Sequence, residues 1–431
     1  MKLVLKNLKL VHPIQKFDDE PKDILIIDGI IEKVDILTKQ ETEGAKEFDL
    51  TGKVAAPGFF DMHVHLREPG REDEETVVTG CNASASGGFT AIACMPNTEP
   101  AIDSAEVIEL IKKKAKGHLV DVYPVAAATL NRKGEVISPM AELYEAGAVG
   151  FSDDGTAIKT AAILKRALEY SKMYNLPIIE HCEDESLAGG AMNEGANSTF
   201  LGLPPIPSVA EDLIVMRDIM LAEYTGGKVH IAHISTKGAV ELVRLAKQKG
   251  LNVTSEVTPH HFALTDDALK TYDTNYKMNP PLRTKADVDA ILEGLKDGTI
   301  DCIASDHAPH SLEEKEAEFE YAPNGILGLE TQVGLALTEL YHKKVLSLEQ
   351  LIEKFAINPR KILNLKVPTF NKGDKANITV LDVDEIWTVN ISKFKSKSKN
   401  SPFDKRLLTG KPVAVVNNGK MFYNDEFIEL K

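Results

Sequence analysis

Eight short apolar runs alternating with amphipathic stretches, and two terminal segments that each turn back on an Xaa-Gly pair, predict an α/β chain. The architecture they predict is a (β/α)8 TIM-like barrel with a small β-domain formed from both chain ends. The runs are VAAPGFFDMHVHLR, GGFTAIACMP, LVDVYPVAAAT, AGAVGFSDDG, LPIIEHCED, KVHIAHIS, LNVTSEVTPHH and DCIASDHAPH, between about residues 54 and 310. Each is nearly continuous in apolar or small residues and closes with polar groups, as strands covered on both faces of a parallel sheet do. An open doubly wound sheet would show the same alternation.

Between several runs lie IDSAEVIELIKKKAKG, SVAEDLIVMRDIMLAEYTGG, STKGAVELVRLAKQKG and TKADVDAILEGLKDG. Each opens on a Ser, Thr or Asp cap and ends near a Gly, as helices do. The ends read differently. ILIIDGIIEKV turns at Asp28-Gly29 and VAVVNNGKMFYN at Asn418-Gly419; such pairs suit a type I′ hairpin, whose two central residues need positive φ. Neither end has enough strands for a core of its own. Residues 1–56 and 366–431 are therefore expected to meet as one β-domain beside a barrel spanning 57–365. No repeat of solenoid length appears, and the Lys/Ser stretch 393–399 reads as a surface loop.

The 431 residues carry 50 Lys+Arg against 65 Asp+Glu, a net charge of −15, with 43% hydrophobic and 27% charged residues. This is a globular composition, and its acidity argues against nucleic acid or anionic membranes as partners. Cys81, Cys94, Cys182 and Cys302 are too few and too far apart for a disulfide scaffold or a thiolate zinc site. The first residues lack the apolar core of a signal peptide, and no apolar run reaches the ~18 residues of a membrane span. A cytoplasmic setting is expected.

The chemistry lies in the histidines. Of twelve, nine (His63, His65, His181, His230, His233, His260, His261, His307, His310) fall in five short clusters. His63 and His65 are alternate residues, so a strand points both the same way. Asp153 and Asp154 end the fourth run, His181 the fifth, His233 the sixth and Asp306 the eighth, all on the face where barrels build active sites. A lone HxH is more often incidental, and Asp-Asp-Gly is most often a turn. Together, imidazoles and carboxylates from five strands suit zinc or a similar metal and exceed what one tetrahedral ion needs. Two ions with a bridging carboxylate would use them all.

GFFDMHVHLREPGREDEET resembles the first metal motif of the class I dihydroorotases of the amidohydrolase superfamily. MPNTEP, FSDDG, EHCED, HIAHIS, TSEVTPHH, MNPPLR, SDHAPH, APNGILGLET and the tail SKSKNSPFDKRLLTG follow in that family's order. The resemblance implies two zinc ions per chain: His63 and His65 on the first with Asp306 beside it, His181 and His233 on the second, and Asp154, rather than Asp153, bridging both. Hydantoinases and allantoinases place a carboxylated lysine at the bridge, and the nearest lysine here is Lys159. The resemblance further implies that Arg67, Asn97 and His310 hold the substrate carboxylate, while Asn279, Asn324 and Gly325 meet the ring amides, with His65 also near the substrate. The implied activity is reversible hydrolysis of the cyclic amide of dihydroorotate to N-carbamoyl-L-aspartate in pyrimidine biosynthesis, through a hydroxide shared by the zincs with Asp306 as general base and acid. Other readings are a dihydropyrimidinase, hydantoinase or allantoinase, or a non-catalytic relative serving aspartate transcarbamoylase. Similar proteins are commonly homodimers, and association with aspartate transcarbamoylase is a further expectation of the resemblance. Glu74 stands where the family commonly has a lysine. Residues 311–323 read equally as a lid and as a solvated helix, and His230, His260, His261 and His307 receive no role.

Overall fold

The structure, a computed structural model, describes residues 1–430. Its centre is eight parallel strands: Phe59–Val64, Phe89–Cys94, Asp121–Pro124 continued by Ala126–Ala127, Phe151–Ser152, Ile178–Glu180, Val229–Ile231, Val253–Val257 and Cys302–Ile303. They pair in that order. Beyond the eighth, His307 bridges Val64 in parallel, and the His65 N–H donates to the His307 carbonyl at 2.9 Å. The sheet thereby closes into a barrel. Phe60, Met62, Ala91, Ala93, Val125, Ile179, Ala232 and Ala304 pack as one cluster drawn from strands all around the ring, so they fill its interior.

Helices alternate with the strands and cover the outside. Ala105–Ala115, Val209–Thr225, Lys237–Gln248 and Lys285–Asp297 lie where their capping signals predict. Thr236 and Thr284 cap the last two by accepting from the N–H groups of Ala239 and Asp287. Gly226 and Gly298 end two of the helices in the left-handed conformation that glycine adopts without penalty.

The chain ends build a second, nine-stranded sheet. Ile378–Leu381 runs antiparallel to Val54–Pro57, which joins the C-terminal strands to the N-terminal ones. Both predicted hairpins form, with positive φ at Asp28, Gly29, Asn418 and Gly419.

Two expectations need correction. The run VAAPGFFDMHVHLR is two strands: Val54–Pro57 belongs to the end sheet and Phe59–Val64 to the barrel. Gly58 makes the transition, in a gap where a Cβ would stand 1.8 Å from Asn377 Oδ1 and 2.3 Å from Thr90 Oγ1. The Lys/Ser stretch is no surface loop. Ser396 and Ser398 are buried while Lys393 and Lys397 are exposed. The Lys395 and Ser396 N–H groups donate to Glu330 at 3.0 and 3.1 Å, the Lys397 N–H donates to Glu75 at 3.1 Å, and Ser398 Oγ donates to the Glu74 carbonyl at 2.7 Å. Alternation, rather than overall polarity, decides which of these residues meets water.

The end sheet docks on the barrel partly through Asn417, a buried side chain that donates to the Leu119 carbonyl at 2.9 Å, the Thr90 carbonyl at 3.2 Å and Asp121 at 2.9 Å. Asn417→Ala should lower the unfolding free energy by about 1–3 kcal/mol in urea titration, the usual cost of stranding buried carbonyls.

Candidate metal centre

The first strand places its histidines by an irregularity. Its pairing with the second strand slips between Asp61 and Val64. Met62 therefore stays in the barrel interior, while His63 joins His65 at the mouth. Asp61 anchors the slip, accepting from the His63 N–H at 3.1 Å and the Ser305 N–H at 3.1 Å. Arg67, His233 and Asp306 follow their strands with φ of 60°, 31° and 45°. Left-handed backbone at non-glycine residues costs on the order of 1–3 kcal/mol each and concentrates at functional sites.

Six predicted residues converge. His63 Nε2 and Asp154 Oδ1 lie 3.4 Å apart. His65 Nε2 is 2.9 Å from Asp306 Oδ1 and 3.5 Å from Asp154 Oδ2. His233 Nε2 is 3.7 Å from Asp154 Oδ1 and 2.9 Å from His181 Nδ1. All six side chains are buried. His63 with His65 and Asp154, His63 with His233 and Asp306, and Asp154 with His181 and His233 each gather ligand atoms within 4.8 Å of one another. Asp154 belongs to two of these groups. Asp153 points away, accepting from the Thr129 N–H at 2.9 Å and the Thr129 hydroxyl at 2.5 Å.

The donor chemistry fits a divalent metal. His63 Nε2 and Asp154 Oδ1, 3.4 Å apart, are buried without a hydrogen-bond partner among the described residues. Buried polar atoms are nearly always paired, so unpaired lone pairs crowded at one place point to a missing electrophile. The electrostatics agree. Burial opposes ionisation of Asp154 and Asp306, yet His63 and its neighbouring imidazoles hold both carboxyls below the usual range.

A set of carboxylates absent from the sequence reading surrounds this centre. Glu256 Oε1 sits 2.6 Å from His63 Nδ1 and Oε2 is 3.2 Å from His230 Nε2, while His230 Nδ1 meets Thr254 Oγ1 at 2.8 Å. Burial opposes its charge, but His63 and His230 hold its pKa down at about 2. Glu183 Oε2 lies 3.5 Å from His181 Nε2 and accepts from Asn279 Nδ2 at 2.9 Å. A charged residue inside the strand Val253–Val257 was the one available signal for Glu256. His261 is a structural residue between Thr258 and the Pro280 carbonyl, and His307 pairs with Glu75 at 3.3 Å.

The residues predicted to meet substrate divide. Asn97 Oδ1 meets His65 Nδ1 at 2.8 Å. Arg67 and His310 adjoin, with a guanidinium nitrogen 3.5 Å from His310 Nε2. Asn279 Oδ1 is buried and has no hydrogen-bond partner among the described residues. The Asn324 carbonyl lies 2.9 Å from His310 Nε2. Gly325 is engaged internally: its N–H donates to the Lys277 carbonyl at 3.0 Å and its carbonyl accepts from Asn400 at 3.1 Å. What Gly325 provides is room, since a Cβ there would stand 2.6 Å from the His310 ring. Residues 311–323 hold one short helix, Leu312–Lys315, whose Lys315 is buried and donates to the Pro323 carbonyl at 2.9 Å.

A family profile described as dihydro-orotase-like matches residues 52–239. Along its full length the chain is similar to the dihydroorotase of Pelotomaculum thermopropionicum, 49% identical over 99% of this chain and 100% of the relative. It is 47% identical to that of Syntrophus aciditrophicus over the same shares. The chain belongs to the dihydroorotase family. Among solved structures it resembles the L-hydantoinase (dihydropyrimidinase) of Arthrobacter aurescens, with a TM-score of 0.87 and 27% identity over 99% of this chain and 97% of that one. The dihydropyrimidinase of Brevibacillus agri shares the fold, with a TM-score of 0.85 at 23% identity over 99% and 96% of the two chains. Within this dihydroorotase-family chain the centre holds Asp154, and the exposed Lys159 packs its stem near Gly134 instead.

Metal-bound imidazoles depend on the partner of their second nitrogen. Glu256→Gln should weaken zinc affinity about 10–100-fold in competition with a chromophoric chelator, with the protein still folded by circular dichroism.

Proposed function

We propose that the chain is a two-zinc dihydroorotase, interconverting dihydroorotate and N-carbamoyl-L-aspartate at the Asp154 centre. His63, His65 and Asp306 would hold one ion and His181 and His233 the other, with Asp154 shared. When bound, the ions would supply Lewis acidity and a water that ionises near neutral pH.

The protein's own groups do the rest. Asp306 Oδ1 stands 2.9 Å from His65 Nε2 at the heart of the cluster, where a carboxylate can take the proton of attacking water. Delivering that proton to the ring nitrogen completes cleavage of the C–N bond as the C–O bond forms. In the closing direction Asp306 starts protonated and the same transfers run in reverse. Asn279 Oδ1, buried with no hydrogen-bond partner among the described residues, is an acceptor for a ring N–H. Asn97 orients His65.

The observation that carries the substrate choice is Arg67. Its side chain is 12% exposed, and its Nε is fixed by Glu74 at 3.1 Å and the Pro309 carbonyl at 3.1 Å. Two residues from His65, the terminal nitrogens of this fork are left to meet an anion, and a guanidinium pairs with a carboxylate bidentately. A ring without a carboxylate gives this arginine nothing to bind.

Purified protein is expected to hold two zinc ions per chain by elemental analysis and to turn over dihydroorotate in preference to dihydrouracil and allantoin. Failure to act on dihydroorotate after zinc addition would overturn the assignment. Asp306→Asn should lower kcat by about 10²–10⁴-fold while the melting temperature stays near that of the parent and elemental analysis still finds zinc bound, since the proton carrier is lost while His63 and His65 remain as ligands. Arg67→Lys should act chiefly on KM for dihydroorotate, by about tenfold, because an ammonium cannot reproduce the fork.

A further inference from the structure

Glu74 exchanges no proton in the reaction above and enters it only through its contact with Arg67, yet it is only 1% exposed. Its two oxygens divide their partners. Oε2 faces Arg67 Nε at 3.1 Å, and Oε1 faces His310 Nδ1 at 2.9 Å and Arg71 at 3.2 Å. We propose that Glu74 is a positioning residue that sets Arg67 and His310 relative to each other, and thereby sets selectivity for a ring bearing a carboxylate.

The geometry is specific to that task. Glu74 and the Pro309 carbonyl occupy the Nε edge of Arg67, which leaves the terminal nitrogens, one of them 3.5 Å from His310 Nε2, as its remaining donors. His310 is located from other directions as well: its N–H donates to Asn400 Oδ1 at 3.1 Å, and Nε2 lies 2.9 Å from the Asn324 carbonyl. Each of these groups touches one member of the pair; the Glu74 carboxylate touches both. On the dihydroorotate reading above, Arg67 and His310 are the groups that receive the substrate carboxylate.

A buried negative charge beside an anion subsite repels the ligand. If charge alone mattered there, removing it would tighten substrate binding. If Glu74 acts by placing the two side chains, removing it loosens binding. The two roles therefore predict changes of opposite sign. Glutamine keeps the shape but offers one acceptor oxygen where two sets of donors need satisfying.

The test is steady-state kinetics of the zinc-loaded Glu74→Gln and Glu74→Ala enzymes, with melting temperatures taken alongside. The expected result is KM for dihydroorotate raised about tenfold with kcat within about twofold, the signature of lost binding rather than lost chemistry. The inhibition constant of dihydrouracil, which lacks the carboxylate, should not move. An unchanged or lowered KM, a fall in kcat as large as the rise in KM, or an equal loss of dihydrouracil binding would overturn the proposal. If the alanine variant fails to fold, the isosteric glutamine variant carries the test. Wild-type turnover of dihydroorotate separates failure of the substrate assignment from failure of the role given to Glu74.

Discussion

Everything at the barrel mouth depends on holding imidazoles and carboxylates in contact although two of their facing atoms have no hydrogen-bond partner among the described residues. His63 Nε2 and Asp154 Oδ1 stand 3.4 Å apart without a hydrogen bond, a costly arrangement unless something electrophilic sits between them. The barrel meets this demand from outside the cluster. Glu256 and His230 hold the far side of His63, Asn97 holds His65, and Glu183 stands by His181. Asp61, through the backbone of His63 and Ser305, ties the first strand to the eighth where the ring closes. Closure of the barrel and assembly of the centre are thus one event.

Most of the architecture was legible in the sequence because its signals are local. Strand runs, capping residues and the two Xaa-Gly turns each depend on a few neighbouring residues, and the structure contains them. The histidines and Asp306 were legible for the same reason: each closes a strand, and strand ends meet on one face of a barrel. Asp153 and Asp154 were separable only through a family resemblance, since the direction each takes depends on the distant Thr129 hydroxyl.

What could not be read was who touches whom across the ring. Glu256 serves His63, 193 residues away, and Glu74 serves His310, 236 residues away. No periodicity encodes such pairs. The serines of 393–399 failed differently: composition classed them with their lysine neighbours, whereas the buried carboxylate of Glu75 and the half-buried one of Glu330 draw their hydroxyls and N–H groups inward. Gly325 likewise read as a hydrogen-bonding residue, although its contribution is the absence of a side chain against His310.

The joining of the two chain ends bears on the order in which the protein is made. Val54–Pro57, paired on one side with the N-terminal strand at Lys9 and Leu10, gains its other neighbour only at Ile378–Leu381, and His310 is anchored by Asn400. A nascent chain emerging from the ribosome therefore carries the centre and the groups that brace it, from His63 to Asp306, before the tail that anchors His310 has been translated. The metal centre and its braces thus precede the tail in order of synthesis, and it is the His310 side of the pocket that is finished only as Asn400 arrives.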